Sequence, residues 1–185
     1  MINSIQQRAE HIGTFRWLEV QLMETLAAWV PTTPEMEVKV LFGRHVWDCV
    51  QHADALGKRA FELRAPMHYT LPPAASLQTY LHEVSSISET STRVSLFYDS
   101  IISWMTERYR AYLQQTDALM DEPSVRVIET ILFDYDRMLS ERSRLAKDVL
   151  AVSRETFNTW QKRQEAITQF VQHGLDGKRA KGLAV

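Results

Sequence analysis

Two histidines and an aspartate lie on one side of a predicted helix in the first third of the chain. His45 and His52 are seven residues apart, which is about two turns of an α-helix, and Asp48 lies between them on the same side. All three border the apolar face of that helix, from which a helical bundle can build an interior metal site. The same arrangement is also found on the polar shoulder of an ordinary helix, so these three residues do not by themselves define a site.

A carboxylate is predicted inside the apolar face of the first helix. On a helical wheel, Glu19 falls among Phe15, Leu18 and Leu22. Burial of an unpaired carboxylate costs several kcal/mol, so this group must find a partner, bind a metal or take up a proton. Carboxylate oxygens and imidazole nitrogens together suit iron or manganese. The residues that we predict as metal ligands are Glu19, His45, Asp48, His52 and Asp134, the last of which lies at the edge of a later helix.

Two further residues are predicted to face inward near these ligands. Tyr98 is central on the apolar face of the third helical region, where it would donate a hydrogen bond to a ligand or act as a redox-active neighbour. Arg142 falls within the apolar stripe of the last long helix and also needs a partner. A buried ion pair between Glu19 and Arg142 is therefore an alternative to metal binding, and both interpretations stay open on the sequence.

Helical periodicity and proline breaks divide the chain into helical segments. The first runs from about Ser4 to Trp29, and Thr33 and Pro34 have the residue types of a second helix start. The remaining segments reach to about Arg64, from about 74 to 116 with a break near Ser85 and Ser86, and onward from Pro123. This pattern predicts an all-α fold, an antiparallel four-helix bundle with an additional C-terminal helix. We expect one domain over 1–173 and a frayed tail over 174–185.

Composition limits the classes of partner. The chain has 185 residues and a formal net charge of −2, which gives no electrostatic reason to bind nucleic acid or an anionic membrane. Cys49 is the only cysteine, so no intramolecular disulfide can form, and its place in the middle of an apolar stripe predicts an inert core residue. The N-terminus lacks the apolar core of a signal peptide, and no run approaches the roughly 20 apolar residues of a membrane span. These features predict a soluble, cytoplasmic protein.

Several stretches resemble one family. Residues 18–22, 34–41 and 45–54 look like the first helix pair of bacterial ferritin-like proteins of poorly defined function, and residues 109–113 and 123–128 look like later parts of the same family. The resemblance covers about the first 150 residues. It implies a four-helix bundle, which in many members holds a di-iron or di-manganese centre for oxidation, oxygenation or metal storage.

The ligand pattern implied by this resemblance is Glu on two helices and Glu-x-x-His on the other two. Glu19 matches the first Glu, and His45 and His52 are the imidazoles available on the second helix. However, Phe42 and Cys49 stand three residues before these histidines, where the pattern has Glu. The third helix has Tyr98 where a carboxylate is wanted, and the fourth has Asp134 or Asp136 without a nearby histidine. A mononuclear site, an altered site and a bundle that has lost its metal all remain open.

Two functional hypotheses follow. The first is a metal-dependent oxidase or oxygenase that uses iron or manganese, dioxygen and a small-molecule substrate. The second is a non-catalytic helical module, without a metal, that self-associates as a homodimer or binds a protein partner; the incomplete ligand set and abundant tryptophan and tyrosine favour it. A hydrolase-like bundle with three histidines ranks lower, because His173 is the only late histidine.

Overall fold

The computed structural model describes residues 4–145, 158–160 and 162–163, and every regular element within these ranges is helical. The chain is therefore all-α over its described part, as predicted. The elements are α1 (Ile5–Thr32), α2 (Met36–Glu62), α3 (Ala75–Ser85), α4 (Thr90–Val94), a π-helical segment (Ser95–Ile102), α5 (Ser103–Gln115) and α6 (Glu122–Arg142).

The first two helices form a closely packed pair. The Ser4 hydroxyl accepts a hydrogen bond from the backbone N–H of Gln7 and the Gln7 side chain binds the Ser4 N–H, so a complete capping box starts α1. α1 packs along α2, with fully buried Leu26 and Phe42 among the residues of the shared core. Each large apolar side chain buried in this way contributes about 1.5–3 kcal/mol of transfer free energy.

The predicted start of α2 was wrong by two residues. The helix begins at Met36 with Glu35 as its N-cap, and Thr33 does not cap it. Instead the Thr33 hydroxyl donates to the carbonyl oxygen of Trp29 at 2.8 Å and accepts a hydrogen bond from Arg93 at 2.9 Å. Thr33 therefore closes the end of α1 and links it to α4.

The third helical region breaks where the sequence predicted, since α3 ends at Ser85. After α4 the helix widens into the π-helical segment, whose side chains are almost all buried. A π-helical turn shifts the positions that follow it around the helix axis, and such turns often occur near functional sites. This segment carries Tyr98 into the core, with its ring 6.4 Å from that of Phe42 on α2.

A polar cluster around Asp121 fixes the start of α6 against α2 and α5. The buried Asp121 carboxylate accepts hydrogen bonds from Tyr112 at 2.6 Å, Thr116 at 2.8 Å, Ser124 at 2.6 Å and Arg59 at 3.1 Å. Because these donors come from three helices and a loop, the cluster sets how α6 lies relative to its neighbours. It thereby positions the polar residues further along α6.

The described C-terminal residues 158–160 and 162–163 are helical and lie against α3. Trp160 packs with its ring 6.1 Å from that of Tyr80, and Arg163 pairs with Glu83 at 2.6 Å. The rest of the predicted C-terminal helix, and the predicted tail at 174–185, lie outside the described residues. None of the described helices is long and apolar enough to cross a membrane.

Candidate functional site

The carboxylate of Glu19 is fully buried and hydrogen-bonded by three other helices. Its Oε1 atom accepts hydrogen bonds from the hydroxyls of Tyr109 at 2.7 Å and Tyr135 at 2.6 Å. Its Oε2 atom lies 3.3 Å from Nδ1 of His52. The sequence placed Glu19 correctly inside the core. Its hydrogen-bond partners on α5, α6 and α2 satisfy the buried charge. The sequence indicated only that burial of this carboxylate without a partner costs free energy.

The two tyrosines, like Arg137 and Glu141, belong to the polar network of the site although the sequence reasoning did not assign them to it. Tyr109 and Tyr135 are completely buried, and their ring centroids are 5.9 Å apart. Burial, and then the nearby Glu19 carboxylate, raise the pKa of each phenol well above its ordinary value. Both therefore act as neutral hydrogen-bond donors. The signal that could have revealed them is that a buried tyrosine hydroxyl usually has a partner.

Cys49 lies at the same level of the core and is completely buried. Burial, and then the charge of Glu19, raise the pKa of this thiol well above its ordinary value. A thiol that resists ionisation is a poor nucleophile and a poor metal ligand. The predicted core position of Cys49 is confirmed.

The imidazole of His52 bridges two carboxylates. Its Nδ1 atom faces Glu19, and its Nε2 atom lies 3.2 Å from Oδ2 of Asp134. Burial lowers the pKa of His52, but the Glu19 and Asp134 carboxylates outweigh burial, so the net pKa is raised. This favours the imidazolium, which can donate one hydrogen bond to each carboxylate. An imidazolium has no free nitrogen lone pair for a metal ion.

The guanidinium of Arg137 on α6 holds three carboxylates together. It lies 2.9 Å from Oδ1 of Asp48, 2.9 Å from Oδ1 of Asp134 and 3.5 Å from Oε1 of Glu141. Hydrogen bonds to Asp134 and Asp48 raise the pKa of Arg137. The other oxygen of Asp48, Oδ2, is buried and has no hydrogen-bond partner. The chain thus supplies its own cation among acidic residues from α2 and α6.

His45 belongs to the outer end of the same network. Its Nδ1 atom lies 2.7 Å from the hydroxyl of Tyr98, and its Nε2 atom lies 3.3 Å from Oε2 of Glu141. The same Glu141 oxygen accepts a hydrogen bond from Arg44 at 2.7 Å. Burial lowers the pKa of His45, against the raising effect of Asp48 and Glu141. A neutral ring with its proton on Nε2 satisfies both contacts, because Tyr98 then donates to Nδ1.

The predicted alternative partner of Glu19 was wrong. Arg142 is partly exposed at the end of α6, and its guanidinium binds the carboxylate of Asp99. The ion pair between Glu19 and Arg142 does not form. A wheel calculation placed Arg142 on the inward face of α6, but this part of the helix faces the π-helical segment that contains Asp99.

The structure brings the five predicted ligands into one network without making them converge on a point. Glu19 and Asp134 lie on opposite nitrogens of His52, while Arg137 separates Asp48 from Asp134. In the part of the chain that the structure describes, no group of three or more His, Cys, Asp and Glu residues could hold a metal ion. In this arrangement the side chains do not fit an iron or manganese centre.

Comparisons with known proteins add no further assignment. The chain matches no protein-family model, no curated protein and no solved structure. The function is therefore inferred from the geometry of the network and from the surface of the protein.

Proposed function

We propose that this protein is a non-catalytic helical module of the ferritin-like, four-helix-bundle type that acts by associating with another protein surface. In this proposal the polar interior holds the helices together and does not carry out a reaction. One observation carries it: the buried Glu19 carboxylate is satisfied by Tyr109, Tyr135 and His52 of the chain itself. A carboxylate with three such partners has little need of a metal ion.

The spacing of the residues around Glu19 supports the loss of a metal site. Cys49 and His52 are three residues apart on α2, and Tyr135 and Met138 are three residues apart on α6. Glu-x-x-His occurs at this spacing in the ferritin-like pattern, and Tyr109 adds a phenol from a third helix. Among these six inward positions, Glu19, Cys49, His52, Tyr109, Tyr135 and Met138, one is an imidazole and one a carboxylate. The burial-raised pKa of both phenols keeps them protonated, and a protonated phenol or a thioether is a poor substitute for a carboxylate at a hard cation.

The surface supports the association part of the proposal. Large apolar side chains are concentrated on the outer side of α2, where Met36, Val40, Trp47 and Phe61 are 53–67% exposed. These side chains share one side of α2, with the exposed Asp54 between Trp47 and Phe61, and exposed apolar surface commonly marks interaction sites. An exposed tryptophan at such a place is a residue type enriched among the strongest contributors to binding.

The test combines metal content with the state of association. The full chain is expressed in medium supplemented with iron and manganese, purified without chelators or a metal-binding tag, and examined by elemental analysis and by analytical ultracentrifugation. The proposal expects well-folded protein with less than about 0.1 equivalent of metal that forms an oligomer or a stable complex. A monomer with one or two equivalents of iron or manganese, lost in a Glu19→Gln, His52→Gln variant, would overturn it.

The second candidate is the metal-dependent oxidoreductase. The specific observation in its favour is the buried Oδ2 atom of Asp48, which has no hydrogen-bond partner and lies beside the Arg137 and Asp134 pair. If Arg137 turned outward, Asp48, Asp134 and His52 would be the residues available to a cation. This candidate expects metal uptake by the purified protein and metal-dependent oxygen consumption, and both would be lost in the Asp48→Asn variant.

A further inference from the structure

The outer face of α2 has a seven-residue repeat. One set of positions is Val40, Trp47, Asp54 and Phe61, and a second set, offset by half a repeat, is Met36, Gly43, Val50 and Gly57. We call these eight positions the α2 stripe. Val50 and Gly57 are half-buried, and the other six are exposed. Alternating spacings of four and three residues keep a stripe in line along a helix, and they are the pattern by which one helix packs against another.

Six of the eight positions of the α2 stripe are exposed, whereas the Arg16 side chain of α1 packs over Gly57, where a Cβ atom would meet it at 2.9 Å. On the opposite side, α2 buries Phe42, Cys49 and Leu56 against the rest of the protein. The six exposed positions of the stripe are therefore additional to the positions needed for the fold. The fold does not require a glycine at position 43, because a Cβ atom built there would meet nothing within 4 Å. Glycine in the middle of a helix costs about 1 kcal/mol relative to alanine, so the monomer gains nothing from this residue.

The stripe is complementary to itself when two copies run antiparallel. With Trp47 placed opposite Val50 of a second copy, Gly43 lies opposite Asp54, and Val40 lies opposite Gly57 and the Arg16 side chain that packs on it. Met36 then lies opposite Phe61 at the two ends. Two of the four kinds of layer, Trp47 with Val50 and Asp54 with Gly43, pair a larger side chain with a smaller one, as interdigitating helices require. In this register the two helices overlap over almost all of the 27 residues of α2, a length of about 40 Å.

Charge on the exposed flank of the stripe favours the same orientation. Glu37, Arg44, Gln51 and Lys58 are exposed and follow the stripe at seven-residue spacing. Lys58 pairs with Asp54 of its own helix at 2.6 Å, and the antiparallel register brings Glu37 of the second copy beside the same ammonium group, so this opposite-charge contact forms twice. A parallel pair would instead place Asp54 against Asp54 of the second copy within the seam, where two like charges repel.

We propose that the occupant of the α2 stripe is a second copy of this chain, and that the two copies form an antiparallel homodimer through α2. This inference rests on the proposed function, because it names the partner and the surface of an association module. It adds the register of the helix pair, in which Trp47 faces Val50 and Glu37 faces Lys58 of the second copy.

Disulfide crosslinking tests the register directly. Positions 37 and 58 are 21 residues apart, about 31 Å along the helix, so cysteines there cannot pair within one chain. The Glu37→Cys, Lys58→Cys double variant is expected to give a covalent dimer on mild oxidation, while either single variant stays monomeric on a non-reducing gel. A covalent dimer from the Glu37→Cys single variant would indicate a parallel pair and overturn the inference.

Disruption of the stripe provides the second measurement. Gly43→Glu adds bulk and charge opposite Asp54 of the second copy, at a position with open space in the monomer, so folding should be unaffected. The expected result is at least a tenfold weaker dimer by sedimentation equilibrium with unchanged helix content. The matched control is Phe133→Ser, which removes a 71% exposed apolar side chain on α6 and should leave the dimer intact. A dimer that survives Gly43→Glu overturns the inference.

The outcomes separate this inference from the proposed function. A metal-free monomer that forms a complex only with a different protein overturns the second-copy assignment and leaves the association module standing. A monomer that holds stoichiometric iron or manganese overturns both. A dimer that crosslinks through positions 37 and 58 and contains metal supports the interface and overturns the non-catalytic function.

Discussion

Glu19 and Tyr135 are 116 positions apart in the chain and are joined by a buried hydrogen bond of 2.6 Å. The bond connects α1 with α6 through the centre of the protein. Tyr109 on α5 donates to the same oxygen atom at 2.7 Å. Because burial removes water as an alternative partner for all three groups, each depends on the others, and the stability of the fold is coupled to this one carboxylate.

Replacement of Glu19 measures how strongly the stability of the fold depends on this carboxylate. In Glu19→Ala, two buried hydroxyls and the His52 imidazole lose their partner and a cavity remains, so we expect a loss of about 3–5 kcal/mol in the free energy of unfolding. Glu19→Gln keeps an acceptor oxygen in place and should lose only about 1–2 kcal/mol. Urea unfolding followed by circular dichroism checks both values. A loss below about 1 kcal/mol for the alanine variant would show that the carboxylate is not central to stability.

The two tyrosines should be energetically coupled through their shared acceptor. Tyr109→Phe and Tyr135→Phe each remove one hydrogen bond to Glu19 and should each cost about 1–2 kcal/mol. The double variant leaves one buried oxygen of Glu19 without a hydroxyl partner, so its cost should exceed the sum of the single costs. A double-mutant cycle in urea measures the difference. Additive costs would mean that the two hydroxyls act independently.

His52 and His45 should give opposite dependences of stability on pH. The pKa of His52 is raised in the folded protein, so its contribution is fully present below the ordinary pKa of 6.5 and is lost as pH rises through the raised value. The pKa of His45 is lowered, so its contribution is fully present above 6.5 and is lost as pH falls through the lowered value.

Unfolding of single variants at pH values below and above 6.5 checks the direction in which each histidine's contribution to stability changes with pH. The difference in unfolding free energy between the native protein and His52→Gln should shrink as pH rises above 6.5. The difference for His45→Gln should shrink as pH falls below 6.5. The two variants serve as controls for each other, because a general effect of pH on the fold would move both differences in the same direction.

Arg137→Met should leave three neighbouring carboxylates without their shared cation. Since this guanidinium is about one third exposed, solvent screens part of the effect, and we expect a loss of about 1–3 kcal/mol. The loss should become smaller at high salt, because the repulsion among Asp48, Asp134 and Glu141 is then screened.

The matched control is Arg126→Met on the same helix. Arg126 pairs with Glu122 on the exposed surface, where such pairs contribute little, so stability should change by less than about 0.5 kcal/mol. Thermal unfolding at low and high salt measures both variants. Equal losses in the two variants would contradict a special role for Arg137 in the interior network.

The helices could be located from the sequence because each one carries its own signal. Apolar periodicity and proline positions predicted the all-α fold of the described residues, and the dense serines at 85 and 86 predicted the break that ends α3. Burial of Glu19 and Cys49 followed from their places on single helical wheels, whereas His45 was placed at the border of its apolar face and is completely buried. These are properties of one helix at a time, so local residue spacing is sufficient to predict them.

Only the tertiary structure decided which inward residues meet. A helical wheel gives the face on which a residue lies, but the axial offset and rotation between two packed helices decide its partner. For this reason Glu19 meets two tyrosines and not Arg142, and Arg137 joins acidic residues that the sequence assigned to a metal. The sequence by itself determined that polar groups lie in the core, and the packing of α2, α5 and α6 around α1 determined how those groups are satisfied.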